Sequence, residues 1–333
     1  MVDKLNRLIC KIVLFVCATT LVGCSSAVSS YISGQQSFGY DPSISRETLA
    51  QQGFSKSEFC SAVTGSCLSY LAATPLSDKH KLRYQVSIRA NGKEELNQLE
   101  IQRNDTNCYS GLVVLIHGFR ASKEFMVNSA LYFRFLGFDV VIPDLLGHGE
   151  SSPGIRFGIE DSRVISELLD ELEINGETLI IVGNSLGAVA ATELPNLRND
   201  VDGLVLQAPM VVFDDAVANY MDAYSPILSS IIPASSVKSG AVKALGNAGL
   251  EIEQTDITAA LANGSTPTLI LVSNSDSVAP PDSFKQLSSN LITVVEFSGR
   301  SHPSMSVITQ QDNEVIQSWF KSKAKKSPQR TCS

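Results

Sequence analysis

The chain has 333 residues, of which 44% are apolar and 18% charged, enough to bury a full core and too apolar for a disordered chain. Its formal charge of −8 argues against nucleic acid as a partner, because nothing in it would neutralise a run of phosphates. The histidines are dispersed and there is no Gly-Lys-Ser phosphate loop, so no metal and no cofactor is implied.

Residues 1–23 read as a targeting segment. Lys4, Arg7 and Lys11 precede an apolar stretch from Ile12 to Gly23. As a helix this stretch would span about 18 Å, short of the roughly 30 Å hydrocarbon core, so a signal peptide is expected rather than a membrane-spanning helix. It ends in "LVGC", which resembles the bacterial lipobox. The resemblance implies cleavage before Cys24 and thioether-linked and amide-linked acyl chains on that cysteine; a plain secretory signal is the alternative. Ser25 and Ser26 follow, which in that class implies the outer membrane of a Gram-negative envelope, on the periplasmic side. Loss of residues 1–23 removes three positive charges and one negative, leaving −10. Acyl chains rather than a basic patch would then hold the protein to the membrane.

Residues 25 to about 45, rich in Ser, Gly and Gln, read as a tether, and Ser45 to about Ala73 as a short helical extension, so that 24–80 forms an appendage to a domain at 81–322. Cys60, Cys67, Cys108 and Cys332 predict two disulfides in an oxidising compartment, although three pairings are open. On one helix Cys60 and Cys67 would lie about 10.5 Å apart, beyond bridging distance. Thr64-Gly65-Ser66 breaks such a helix, so Cys60–Cys67 is the expected pair. Cys108–Cys332 would then staple the 323–333 tail beside the sheet.

A hairpin follows, with "LRYQVSIR" and "NQLEIQR" around the turn "ANGKEE", and it is expected to add antiparallel strands at one sheet edge. From Leu112 the pattern changes to continuous apolar runs at 112–118, 138–144, 178–184, 201–209, 268–274 and 292–299. Strands of this kind are buried on both faces. Helical segments at 122–136, 160–173, 186–197, 281–290 and 303–322 separate them, so the chain predicts an α/β class with a mostly parallel sheet. The connection from Asp214 to Thr266 is too long for this rhythm and reads as a small helical cap over the sheet's C-terminal edge.

Within "IIVGNSLGA", Ser185 follows a buried strand and opens a helix, between Gly183 and Gly187. That is the context a nucleophile elbow requires. With "LIHGF" at 115–119 and "PDLLGHGESS" at 143–152, the chain resembles the α/β-hydrolase superfamily over roughly residues 80–322, especially esterases, monoacylglycerol lipases and serine aminopeptidase-like proteins. The resemblance implies an oxyanion hole from the backbone N–H groups of Phe119 and Leu186. It also implies the order nucleophile, acid, histidine. Only His302, in "SGRSHPSM", follows the serine, so it is the expected base. Asp276, in "LVSNSDSVAP", is the expected acid, with Asp214 as its rival after the preceding strand. His117, His148 and Asp144 are expected to organise loops.

These residues predict a serine hydrolase that cleaves carboxylic esters through an acyl-enzyme, with a small-molecule ester or lipid as substrate. An aminopeptidase or amidase of the same fold is the second reading, and it would need carboxylates in the cap, among which Asp214, Asp215, Asp222, Glu251, Glu253 and Asp256 are available. A catalytically silent envelope-binding lipoprotein is the third.

Overall fold

The computed structural model describes residues 23–34, 46–103, 108–172, 174 and 177–323. In chain order the elements are helix α1 (23–34), α2 (Arg46–Gln51), strands β1 (Ser55–Cys60), β2 (Cys67–Ala73), β3 (Lys81–Ala90), β4 (Lys93–Gln102) and β5 (Leu112–Ile116). There follow α3 (Val127–Phe135), β6 (Asp139–Pro143), α4 (Ile159–Glu171), β7 (Leu179–Asn184), α5 (Gly187–Leu197) and β8 (Val201–Gln207). The chain continues with α6 (Phe213–Tyr224), α7 (Pro226–Ile231), α8 (Ala234–Asn247), α9 (Ile257–Asn263), β9 (Thr268–Ser273), α10 (Asp282–Lys285), β10 (Ile292–Phe297) and α11 (Gln310–Lys323).

Eight strands form one sheet in the order β1-β2-β6-β5-β7-β8-β9-β10. Along this order β6, β5, β7, β8, β9 and β10 run parallel to one another, while β2 at the edge pairs antiparallel with both β1 and β6. Alternation along each strand divides the core in two. Leu112, Val114 and Ile116 of β5 face the side covered by α4 and α5, with Leu179 and Ile181 of β7. Val113, Leu115, Ile180 and Val182 face the side covered by α3 and α11, where Phe133, Trp319 and Phe320 pack. Two buried faces explain why these strands read as unbroken apolar runs. Helices α6 to α9 fill the long connection between β8 and β9, where the cap is expected.

Three expectations near the N-terminus are corrected. Residues 55–73 are not helical: they form β1 and β2, and Cys60 stands directly opposite Cys67 in the register. The two are joined as a disulfide with Cα atoms 4.0 Å apart, and Gly65 turns the chain between them at φ 70°. The Leu- and Ala-rich "CLSYLAA" gains a ladder to β6, from Tyr70↔Pro143 to Ala73↔Val140, and that pairing outweighs its helix propensity. The β3–β4 hairpin does not extend the main sheet and forms a separate sheet of two strands. Finally, the segment after Cys24 is not a tether throughout, because 23–34 is a helix with Ile32 and Ser29 buried. Residues 1–22 and the tail from 324, including Cys332, lie outside the described residues; Cys108 is itself disulfide-bonded.

Candidate active site

Strands β5 and β7 are neighbours whose onward connections leave in opposite directions along the sheet, β5 to β6 and β7 to β8. A crevice at such a switch point, beyond the carboxyl ends of the strands, is where open α/β sheets place their sites. Here β5 delivers Gly118 and Phe119, and β7 delivers Ser185.

Ser185 holds φ 49°, the left-handed region that an L-residue seldom adopts. The two flanking glycines make the turn possible through close approach. A Cβ on Gly183 would lie 2.7 Å from the Gly187 carbonyl oxygen, and one on Gly187 would lie 2.3 Å from the Ile116 oxygen. The turn is so tight that α5 rises directly against β5 and β7, with Leu186 as its N-cap. Among the described residues, the backbone amides of Phe119 and Leu186 donate to no protein acceptor. Two unclaimed donors beside a serine hydroxyl are what a developing oxyanion requires.

The loops after β9 and β10 supply the other two groups. The Ser185 hydroxyl lies 2.9 Å from His302 Nε2, and His302 Nδ1 lies 2.8 Å from Asp276 Oδ2. Asp276 is buried, and its Oδ1 accepts from the amides of Val278 at 2.9 Å and Ala279 at 3.0 Å. Both carboxylate oxygens are therefore fixed, and the imidazole has one orientation. Nδ1–H donates to Asp276, which leaves Nε2 to accept from the serine. Asp214, the rival acid, sits on α6 and accepts from the neighbouring Asp215 amide instead.

Several residues that hold this constellation escaped the sequence reading. Arg300 is buried and grips both oxygens of Asp312 on α11, at 2.9 and 2.7 Å. Its other nitrogen donates to the carbonyls of Ser304 and Val307, so it clamps the loop that carries His302. From the other side, Glu95 of β4 accepts from the Ser301 amide at 2.9 Å and from the Ser301 and Ser304 hydroxyls. The separate hairpin is thus a strap across the histidine loop. Behind the loop that carries Phe119, Lys123 is 1% exposed and donates to Asp144 at 2.5 Å and Glu150 at 2.8 Å. Asp144 also accepts from the Lys123 and Glu150 amides, so it organises loops as expected. The cations of Lys123 and Lys56 hold the Glu150 carboxyl down at about 2.

His117 and His148 are structural. Burial pulls His117 down to about 4 and, with the neighbouring His117, pulls His148 down to about 3. The ring of His117 accepts from the Leu145 amide through Nε2 and faces the Gly118 carbonyl through Nδ1, tying the β5 and β6 loops together.

Ser185 and His302 open into a cavity of about 420 Å³. Its walls are almost wholly apolar: Phe119, Met210, Phe213, Val217, Tyr220, Leu228 and Val237 from the loops and cap, and Val28 and Ile32 from α1. Among the described residues no carboxylate lines it, and Arg89 and Arg120 are the charged lining residues. The cap acids lie elsewhere: Asp215 pairs with Lys238, and Asp256 caps α9 through the Thr258 amide. Among the described residues one cluster has metal-ligand spacing, Glu58 with Cys60 and Cys67, and its thiols are already joined as the disulfide.

Comparison with known proteins agrees with this architecture. A bacterial membrane phospholipase A structure, described as a virulence factor, aligns over 96% of this chain and 96% of its own at a TM-score of 0.54 and 16% identity. A Pyrococcus furiosus esterase aligns over 84% of this chain and 96% of its own, at 0.54 and 14%. DcsB, solved with a substrate analogue, aligns over 82% and 100%, at 0.54 and 13%. At such identities the likeness concerns the fold. A search of the curated proteins finds no match. The profile of the Alpha/beta hydrolase family matches residues 113–317, more than half the chain and the stretch that carries Phe119, Ser185, Asp276 and His302, and the protein therefore belongs to the alpha/beta hydrolase family.

Proposed function

We propose that this hydrolase is a carboxylic ester hydrolase of the serine type that acts on acyl esters of membrane lipids or their breakdown products. The observation that carries the reading is the Ser185–His302–Asp276 chain of contacts opening into an apolar cavity to which no described residue contributes a carboxylate. The Ser185 hydroxyl attacks the ester carbonyl while His302 Nε2 takes its proton. The Phe119 and Leu186 amides stabilise the tetrahedral oxyanion, and imidazolium returns the proton to the leaving alkoxide. Water then repeats the sequence on the acyl-enzyme. Asp276 stabilises the imidazolium and is not itself protonated.

An aminopeptidase would need a negative group in the pocket to hold a substrate ammonium. The lining supplies arginines instead. The esterase and phospholipase among the structural neighbours are in keeping with an ester substrate. The lipobox-like "LVGC" supports anchoring of the mature chain through Cys24 to the bacterial envelope, at the outer membrane. Helix α7 supports a lipid surface as the working site, since it exposes Ile227 and Ile231 beside the pocket-lining Leu228 and Ile232. The test is turnover of p-nitrophenyl esters of graded chain length beside aminoacyl amides. Cleavage of the esters with little of the amides is expected, and the reverse preference would overturn the ester reading.

A further inference from the structure

We infer that α1, the helix whose first turn carries the proposed anchoring cysteine Cys24, is a wall of the acyl pocket and sets which acyl chains the site accepts. The inference rests on the acyl-ester reading above and goes on to assign a part of the chain that the family profile does not reach.

Ala27, Val28, Tyr31 and Ile32 follow one helical stripe, and all four line the cavity that contains Ser185. The facing wall comes from the cap, with Val217, Tyr220 and Val237. The helix is fitted into the cap. Asn247 Nδ2 donates to the Ser29 hydroxyl at 3.2 Å, and Lys243 Nζ donates to the Ser26 hydroxyl at 3.0 Å. Both donors lie on α8 and in its last turns. On the same helix, Gly240 lets α1 come close: a Cβ there would lie 2.6 Å from Val28 Cβ.

The C-terminal end of α1 is held by the oxyanion loop itself. Arg120 follows Phe119, is buried, and takes φ 61°. Its Nη2 donates at 2.7 Å to the Tyr31 carbonyl, which belongs to the last turn of α1, where helix carbonyls lack intrahelical partners. The guanidinium also lies 3.9 Å over the Tyr31 ring. One side chain thus joins the pocket wall to the loop that offers the Phe119 amide.

Val28 is the gauge of this wall. It has Gly240 of the cap behind it and the cavity in front, so a larger side chain there must project into the pocket. An acyl chain long enough to reach Val28 will sense the change, and a short one will not reach it.

The experiment compares kcat/KM for p-nitrophenyl palmitate and p-nitrophenyl butyrate in the full chain. Val28→Trp should lower the palmitate-to-butyrate ratio by about tenfold or more, the scale of a lost apolar subsite. Val28→Ala should move the preferred chain length upward, and it carries the test if the Trp variant does not fold. Ser30→Trp, on the exposed face of α1, should leave the ratio unaltered. A folded Val28→Trp protein with the wild-type ratio would overturn the inference while leaving the ester reading intact. If the wild type cleaves no ester of the series, the ester reading falls. The wall is then judged by the same variants through binding of a dansyl-labelled fatty acid, where unchanged affinity in Val28→Trp would refute it.

Discussion

Asp276 and Lys123 show two uses of a buried charge. Asp276 holds the imidazole through one oxygen and two backbone amides through the other. Asp276→Asn keeps the shape but favours the wrong imidazole tautomer, so kcat should fall by about 10⁴. Asp214→Asn, on α6 and accepting from its neighbour's amide rather than from His302, should stay close to wild type in the same assay. Lys123 has no part in the proposed chemistry. Its ammonium neutralises Asp144, which is fully buried behind the loop that carries Phe119. Lys123→Met would strand that carboxylate and should cost about 3–5 kcal/mol in denaturant unfolding, partly recovered by adding Asp144→Asn. A Lys123→Met protein as stable as wild type would show that the pair contributes nothing net. The meeting of Ser185 and His302 was legible because a tight turn forces glycines at fixed spacing and because the chain order that the family resemblance implies leaves one histidine. Lys123, Glu95 and Arg300 were not, since their partners are set by folding: Glu95 meets Ser301 across 206 positions of sequence.

The β3–β4 hairpin has a task that its alternating pattern could not reveal. Alternation predicts a strand pair with one covered face, and it is silent about what covers it. The cover is α3 and α11, against which Leu82, Leu99 and Ile101 are buried, together with the histidine loop: Tyr84 donates to the Ile308 carbonyl at 2.6 Å, and Glu95 holds Ser301 and Ser304. In the proposed mechanism Glu95 is a positioning residue, acting through the Ser301 amide and the Ser301 and Ser304 hydroxyls on either side of His302. Glu95→Ala should lower kcat about tenfold or more with KM little changed, as misplacement of a reacting group by a fraction of an ångström does. Glu95→Gln, which keeps an acceptor, should recover part of the loss. Equal effects of Ala and Gln on kcat and KM together would argue for a general loss of structure instead. The parallel strands β5 to β10 were readable because burial on both faces leaves an uninterrupted apolar run. Strands β1 and β2 were not, because at a sheet edge the composition is mixed and the ladder to β6 decides the conformation. The Ser, Gly and Gln content of 25–45 reads as a tether, yet four positions on one face of α1 suffice to bind it to the pocket.

For the molecule as a whole, the buried histidines set the response to acid. His117 titrates near 4 and His148 near 3 in the folded chain, against about 6.5 when unfolded. The unfolded chain therefore binds their protons first, and stability falls as pH drops below the unfolded value. Asp161 opposes this, because burial raises it to about 6. Its contribution is complete below the unfolded carboxylate range and is lost as pH rises through its folded value. Between pH 6 and 4 two histidines act against one aspartate, leaving a net loss of about 1.4 kcal/mol for each unit of acidification. Melting temperature should fall across that window, and His148→Phe should flatten the slope; an unaltered slope would show that His148 is protonated in the folded state. The proposed role of Ser185 as the nucleophile of this alpha/beta hydrolase is open to covalent capture. After exposure to a fluorophosphonate, intact mass and peptide mapping should show a single adduct on Ser185 in the wild type and none in Ser185→Ala. An adduct on any other residue, or equal labelling of Ser185→Ala, would contradict the account.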